Sequence, residues 1–192
     1  MIRKEHEPEA ITQSVKSAVF SALANGTDLT RAVSAIVARE LAAIIGTSGT
    51  TKARATVVTT TVASAAINGV LQSGCDLAPA TQGLIIPILR GTRLVGAEVL
   101  AAITRTAKIA IRRVAESDSD LEGAAAGLIR GAIQGANEIG IHTADAAAAA
   151  ATGALNAVGD VRSSAYQTVL AAVTKPFEGI MLTPKEPAIS SN

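Results

Sequence analysis

The sequence predicts an all-α protein in which four helix hairpins, about eight helices, are stacked as a compact or solenoid-like array. A short polar corner ending in aspartate recurs four times, between apolar runs of helical length, at spacings of 48, 44 and 40 residues (76−28, 120−76, 160−120). Repeats of about 40 residues are typical of stacked helical hairpins. Alanine, the best helix former, makes up 40 of the 192 residues, and aromatic residues only 2%. The four corner aspartates are Asp28, Asp76, Asp120 and Asp160.

The four hairpins also agree when they are aligned on these aspartates without gaps. Alanine stands ten residues before every corner aspartate, and Val or Ile stands nine residues after it. Apolar residues spaced by four drift about 40° around a helix at each step. Such ridges favour helices that cross at about −50°, rather than a straight coiled coil. The two columns are Ala18, Ala66, Ala110 and Ala150, and Val37, Ile85, Ile129 and Val169.

The first predicted hairpin covers about 9–46. Pro8 suits the first turn of its first helix, which carries Ile11, Val15, Val19 and Leu23 on an apolar stripe and runs to about residue 24. The second helix is expected to start at the first corner aspartate and to end near residue 46, where glycine stops it.

The second predicted hairpin covers about 52–96. Thr56 to Thr61 has the composition of a strand, but the register of the repeat favours a helix there. Pro87 falls inside the following helix, where it removes one backbone hydrogen bond. We therefore expect a kink or a break at this proline, at a local cost of roughly 3 kcal/mol.

The third and fourth predicted hairpins cover about 97–140 and 143–179. The last helix is expected to run from Asp160 to Thr174, and a short apolar piece, 177–182, to dock on the body. Residues 1–182 would form one helical-repeat domain, and 183–192 a disordered tail.

The corner aspartates admit two interpretations. They are either a carboxylate cluster or the N-caps of four helices, and a polar corner before an apolar run favours capping. No second His, Cys or carboxylate stands at ligand spacing with His6 or His142, unless Asp145 folds back towards His142, and the lone Cys75 cannot build a cysteine-rich site. No Gly-x-Ser-x-Gly turn is present either. We therefore predict no catalytic residue, no metal site and no cofactor, and a protein that is not an enzyme.

The net charge of +1 conceals an asymmetry along the chain. Residues 52–113 carry eight basic and two acidic groups (+6), whereas 114–160 carry one basic and seven acidic groups (−6). The candidate surface for an anionic partner is one basic face of the fifth helix, for which a solvated face without a partner is the alternative. Because no aromatic residues are interleaved with the basic ones, the sequence argues against nucleic acid as a partner. The four basic residues are Arg105, Lys108, Arg112 and Arg113.

The function predicted from these features is association, by self-assembly into a homo-oligomer or by protein–protein interaction. Gly127, Gly131 and Gly135, four apart in one helix, favour close helix contacts inside the fold or across an oligomer. The alternatives are a binding module that holds a lipid-like apolar ligand in a cavity or groove, and a protein that coats an anionic or apolar surface. Without an apolar leader or a span free of polar residues, we expect no transmembrane insertion and a cytoplasmic location.

Overall fold

The computed structural model describes residues 8–45, 52–94, 98–159 and 163–182, and within these ranges it contains eight helices and no β-strand. The predicted all-α fold is therefore confirmed. The helices are α1 (Pro8–Ala24), α2 (Leu29–Ile45), α3 (Lys52–Ser73), α4 (Leu77–Leu94), α5 (Val99–Glu116), α6 (Leu121–Ile139), α7 (Thr143–Val158) and α8 (Ser164–Val173).

The helices alternate between two layers. The odd layer contains α1, α3, α5 and α7 side by side, and the even layer contains α2, α4, α6 and α8. The most extensive contacts join α4 to α6 and α5 to α7. Across the described ranges, extensive contacts join only hairpins that are neighbours in the chain, which is the contact pattern of a solenoid. The array is a stack of hairpins that share one continuous core.

The repeat register explains most of the core. The column nine residues after the corner aspartates is fully buried in all four hairpins. The alanine column is buried in the second, third and fourth hairpins, whereas Ala18 of the first is only half-buried. One residue of the predicted apolar stripe is misplaced, because Leu23 is 53% exposed and Ala22 is buried in its stead. Leu23 comes twelve residues after Ile11, which turns it about 120° away from Ile11 around the helix axis. Ala22 comes eleven residues after Ile11 and points within about 20° of the same direction, so it is buried on the same side.

Glycine permits close approaches between helices of the odd layer. A Cβ at Gly69 of α3 would lie 2.6 Å from the carbonyl oxygen of Thr12 on α1, and a Cβ at Gly153 of α7 would clash with the carbonyl oxygen of Thr104 on α5. Beside these contacts, each threonine hydroxyl donates a 3.1 Å hydrogen bond to a carbonyl oxygen of the neighbouring helix. Both glycines stand seven residues before a corner aspartate, so the junction between hairpins 1 and 2 is repeated between hairpins 3 and 4.

Two predictions concern the second hairpin, one at Pro87 and one at residues 56–61. α4 continues through Pro87, so the helix does not break there, and the alternative, a kink, stays a prediction. Pro87 is buried, and α4 packs against both α2 and α6, so tertiary contacts offset the missing backbone hydrogen bond. The threonine-rich 56–61 stretch is helical, as the register predicts, because it belongs to an α3 that packs on α1 and α5.

The last hairpin is the least regular. α8 begins at Ser164, with Ser163 as its N-cap, later than the predicted start at Asp160, which lies outside the described residues. After α8, Lys175 forms an ion pair with Glu122 in the first turn of α6. The end of α8 therefore lies near the start of α6. By contrast, α4 and α6 are aligned in parallel, since Gly127 meets the start of α4 and Glu138 bonds to Arg90 near its end.

The chain that follows α8 docks on the body of the array. Phe177 and Leu182 are buried, and Phe177 and Ile180 exchange two backbone hydrogen bonds of 3.0 and 2.7 Å around a tight turn. Glu178 and Gly179 occupy that turn with φ of 48° and 82°, the left-handed region that such two-residue turns require. The predicted tail, 183–192, lies outside the described residues.

Candidate interaction surfaces

Three of the four corner aspartates lie directly before a helix and accept hydrogen bonds from its first turn. Oδ1 of Asp28 accepts from the backbone N–H of Thr30 at 2.9 Å and from that of Arg31 at 3.4 Å. Asp76 and Asp120 make the equivalent 2.9 Å bonds to the second or third residue of their helices. These aspartates are exposed and sit at separate corners, and the described residues contain no group of three metal-ligating side chains. Asp160 lies outside them.

The remaining candidates for chemistry are poorly placed for it. His142 Nδ1 lies 3.8 Å from Asp145 Oδ2, and both side chains are well exposed, so the pair is a loose surface contact. Cys75 is partly buried in the second corner, where its Sγ lies 3.5 Å from the hydroxyl oxygen of Ser73. His6 lies outside the described residues.

The structure brings three of the four predicted basic residues together. Arg105, Lys108 and Arg112 are exposed on the side of α5 that faces away from the core. Within the described part of the chain, none of the three forms an ion pair or a side-chain hydrogen bond. The fourth, Arg113, bonds to Glu116 at 3.1 Å. It stands seven residues before Asp120, at the position that glycine occupies in the second and fourth hairpins.

These three residues belong to a wider surface that extends across the whole layer. In the repeat register they stand fifteen, twelve and eight residues before the corner aspartate, and every residue at these positions is exposed or half-buried. We call this surface the outer face of the odd layer. Four positive charges and one negative charge give it a net charge of +3. It consists of Gln13, Lys16 and Phe20, Thr61, Ser64 and Asn68, Arg105, Lys108 and Arg112, and Asp145, Ala148 and Thr152.

A second surface lies on the side of hairpin 1 that faces away from hairpin 2. Positions fourteen, eleven, ten and seven residues before Asp76 are buried in hairpin 2, which packs there against hairpin 1. The same four positions of hairpin 1 are exposed or half-buried and hold only serine and alanine. Together with Ile36 and Arg39 of α2 they line a shallow depression. We call this the end face of hairpin 1, and its α1 residues are Ser14, Ser17, Ala18 and Ser21.

The end face was not predicted from the sequence, although the alignment of the hairpins on their corner aspartates contains a signal for it. In hairpin 2 the four positions hold Val62, Ala65, Ala66 and Gly69, whereas hairpin 1 replaces three of these residues by serine. An apolar-to-serine change at several register positions marks a repeat whose neighbour is absent or different. The direction in which those positions point was unknown without the structure.

A third surface feature is an apolar depression between the start of α5 and the corner that joins α6 to α7. Val99, Leu100 and Ala101 line it from one side, and Ile141 from the other. Leu100 is exposed there. The depression opens to solvent, and the charged side chains of Glu98 and Asp145 border it.

Comparison with known protein families and with curated proteins finds no match to this chain. None of the helices in the described ranges is long and apolar enough to cross a membrane.

Proposed function

We propose that this protein is a non-enzymatic helical-repeat protein that acts by association with copies of itself through the end face of hairpin 1. The observation that carries the proposal is which repeat positions form that face. The positions that hairpin 2 uses to pack on its neighbour are left uncovered, among the described residues, in hairpin 1.

The chemistry of the face suits contact with another helical surface. Ser14, Ser17, Ala18 and Ser21 have short side chains, so a second helix backbone can approach closely, as α1 approaches Gly69 inside the array. Outer surfaces of terminal repeats are usually strongly polar. Among the described residues that line this depression, Arg39 alone is charged, and it donates a 3.0 Å hydrogen bond to Glu40. A face that meets its own copy forms a closed two-fold dimer, the commonest form of homo-oligomer.

The proposal predicts a dimeric mass in solution. The monomer has a mass of 19.3 kDa, so light scattering on the purified protein at micromolar concentration should report about twice that value. Ser17→Arg places a long charged side chain at the middle of the face, opposite its own copy, and should give a monomer. Ser164→Arg, the same change on exposed α8, is the matched control and should remain a dimer. A monomeric mass for the unmodified protein at this concentration would refute the proposal.

A second candidate function is the binding of a lipid-like ligand, which the apolar depression at Val99, Leu100 and Ile141 favours. Organic extraction of the same purified sample, followed by mass spectrometry, distinguishes the two candidates. A stoichiometric lipid in the extract supports ligand binding, whereas a clean extract together with a dimeric mass supports self-association.

A further inference from the structure

We propose that the outer face of the odd layer docks on the surface of an anionic lipid membrane. This inference concerns a different surface from the end face of hairpin 1, so it holds or fails separately from self-association. It describes a peripheral contact in which the helices lie against the lipid headgroups.

The first support is the unopposed charge of α5. Arg105 and Arg112 are seven residues apart, which places them about 10 Å apart along the helix with Lys108 between them. No carboxylate of the described residues pairs with these three side chains. The neighbouring α3 contributes no charged residue to the face, and α7 contributes its one negative charge, Asp145. The net charge of +3 therefore gives the face a positive potential.

The second support is the exposed apolar side chains beside that charge. Phe20 belongs to the face and is 49% exposed, and Val57 of α3 is 65% exposed. Val57 stands nineteen residues before Asp76, whereas Phe20 stands eight residues before its own corner aspartate. The two repeat positions differ by eleven residues, so on a helix they point within about 20° of the same direction. Basic residues combined with exposed large apolar side chains are typical of proteins that bind the interface of anionic membranes.

The same composition argues against nucleic acid as the partner. Single strands are bound by several aromatic side chains on which successive bases stack. Phe20 is the only aromatic residue that the described ranges expose, because Tyr166 and Phe177 are buried. An aliphatic residue and one phenyl ring suit acyl chains better than stacked bases.

The rigidity of the layer supports a defined docking geometry. α5 is anchored by Ile103 and Ile111, which are fully buried. It also packs on α3 and, more extensively, on α7. The charged groups are therefore presented by a fixed helix and not by a loop.

The test is flotation of the full-length protein with vesicles of phosphatidylcholine containing 30% phosphatidylserine, with pure phosphatidylcholine vesicles alongside. We expect the protein to float with the anionic vesicles only, and less as salt is raised. Each Lys or Arg near an anionic surface contributes about fivefold to binding, so Arg105→Glu with Arg112→Glu should weaken binding about 25-fold or more. Arg31→Glu with Arg93→Glu changes the net charge equally, on exposed even-layer residues outside this face, and should retain binding.

Several outcomes would overturn the inference. Protein that stays at the bottom of the gradient with anionic vesicles excludes membrane docking, and so does flotation that does not depend on vesicle charge. Equal losses in the two double variants, each with an unchanged circular dichroism spectrum, would indicate attraction by net charge alone. Tight binding to a short DNA duplex without flotation would assign the face to nucleic acid. None of these results changes the mass expected for self-association.

Discussion

At the scale of single residues, the corner aspartates stabilise the helices that follow them. Asp120 has an extended backbone conformation, and its side chain accepts a hydrogen bond from the backbone N–H of Gly123, which has no partner within the helix. Asp120→Ala removes this acceptor and should lower the free energy of unfolding by about 1 kcal/mol. Asn retains a side-chain oxygen at the same position, so Asp120→Asn should remain close to the unmodified protein. Chemical denaturation of the three proteins gives the comparison.

The cap of α8 is one place where the repeat register does not predict the structure. Three corner aspartates lie where the repeat predicts a cap, but α8 is capped by Ser163, whose hydroxyl accepts from the backbone N–H of Tyr166 at 3.1 Å. Serine is as good a cap as aspartate, so local sequence allows either start. Equal stability of Asp120→Ala and the unmodified protein would mean that the corner is held by packing and not by its cap.

At the scale of helices, glycine sets how closely α6 approaches α4. A Cβ at Gly127 would overlap the carbonyl oxygen of Ala78 and the hydroxyl of Thr81, neither of which moves without displacing α4 or breaking a hydrogen bond. Gly127→Ala gains about 1 kcal/mol of helix propensity, but such overpacking costs typically 1–3 kcal/mol. Because the obstruction includes backbone, we expect a net loss of about 2 kcal/mol, measured by denaturant unfolding.

Gly135 is the matched control in the same helix. The nearest atom to a Cβ there is a methyl group of Leu89, at 2.9 Å, and the end of a side chain can shift by a few tenths of an ångström without moving the backbone. Gly135→Ala should therefore be neutral or slightly stabilising, since the gain in helix propensity is not offset by a backbone clash. If both substitutions stabilised the protein equally, α4 and α6 would not be in the close contact that the structure gives them.

Helix-scale propensity alone misjudges α4. Pro87 predicts a kink or a break, because proline removes a hydrogen bond and disturbs the preceding turn. The helix nevertheless continues, packed between α2 and α6 with Ile85, Ile88 and Leu89 fully buried around the proline. Burial of several large side chains outweighs a local cost of roughly 3 kcal/mol, and this burial depends on neighbours that the local sequence does not reveal.

At the scale of the whole molecule, the repeat made the all-α class and the hairpin organisation predictable from sequence. The direction of each face was not predictable. Arg113 shares a basic stretch with Arg112 in sequence, yet Arg113 takes the position that holds glycine at two other junctions, whereas Arg112 points away from the array. The end face of hairpin 1 was hidden for the same reason, because Ser17 and Ser21 resemble ordinary surface residues until the neighbouring side is known.

The protein's stability should also be graded along the array, and association should change it at one end only. α4 packs on α2 and on α6, with Ile85, Ile129 and Ile133 buried, whereas among the described helices α1 has extensive same-layer contacts only with α3. Amide hydrogen exchange should therefore be slowest in α4 and α6. A dimer formed through the end face of hairpin 1 protects more of α1 as the protein is concentrated, because binding stabilises by mass action. Exchange measured by mass spectrometry at two protein concentrations should show slower exchange at the higher one in α1, with α4, α6 and α8 unchanged. If protection rose in α7 or α8 instead, the copies would associate through the other end of the array, and the serines of α1 would be an ordinary solvated surface.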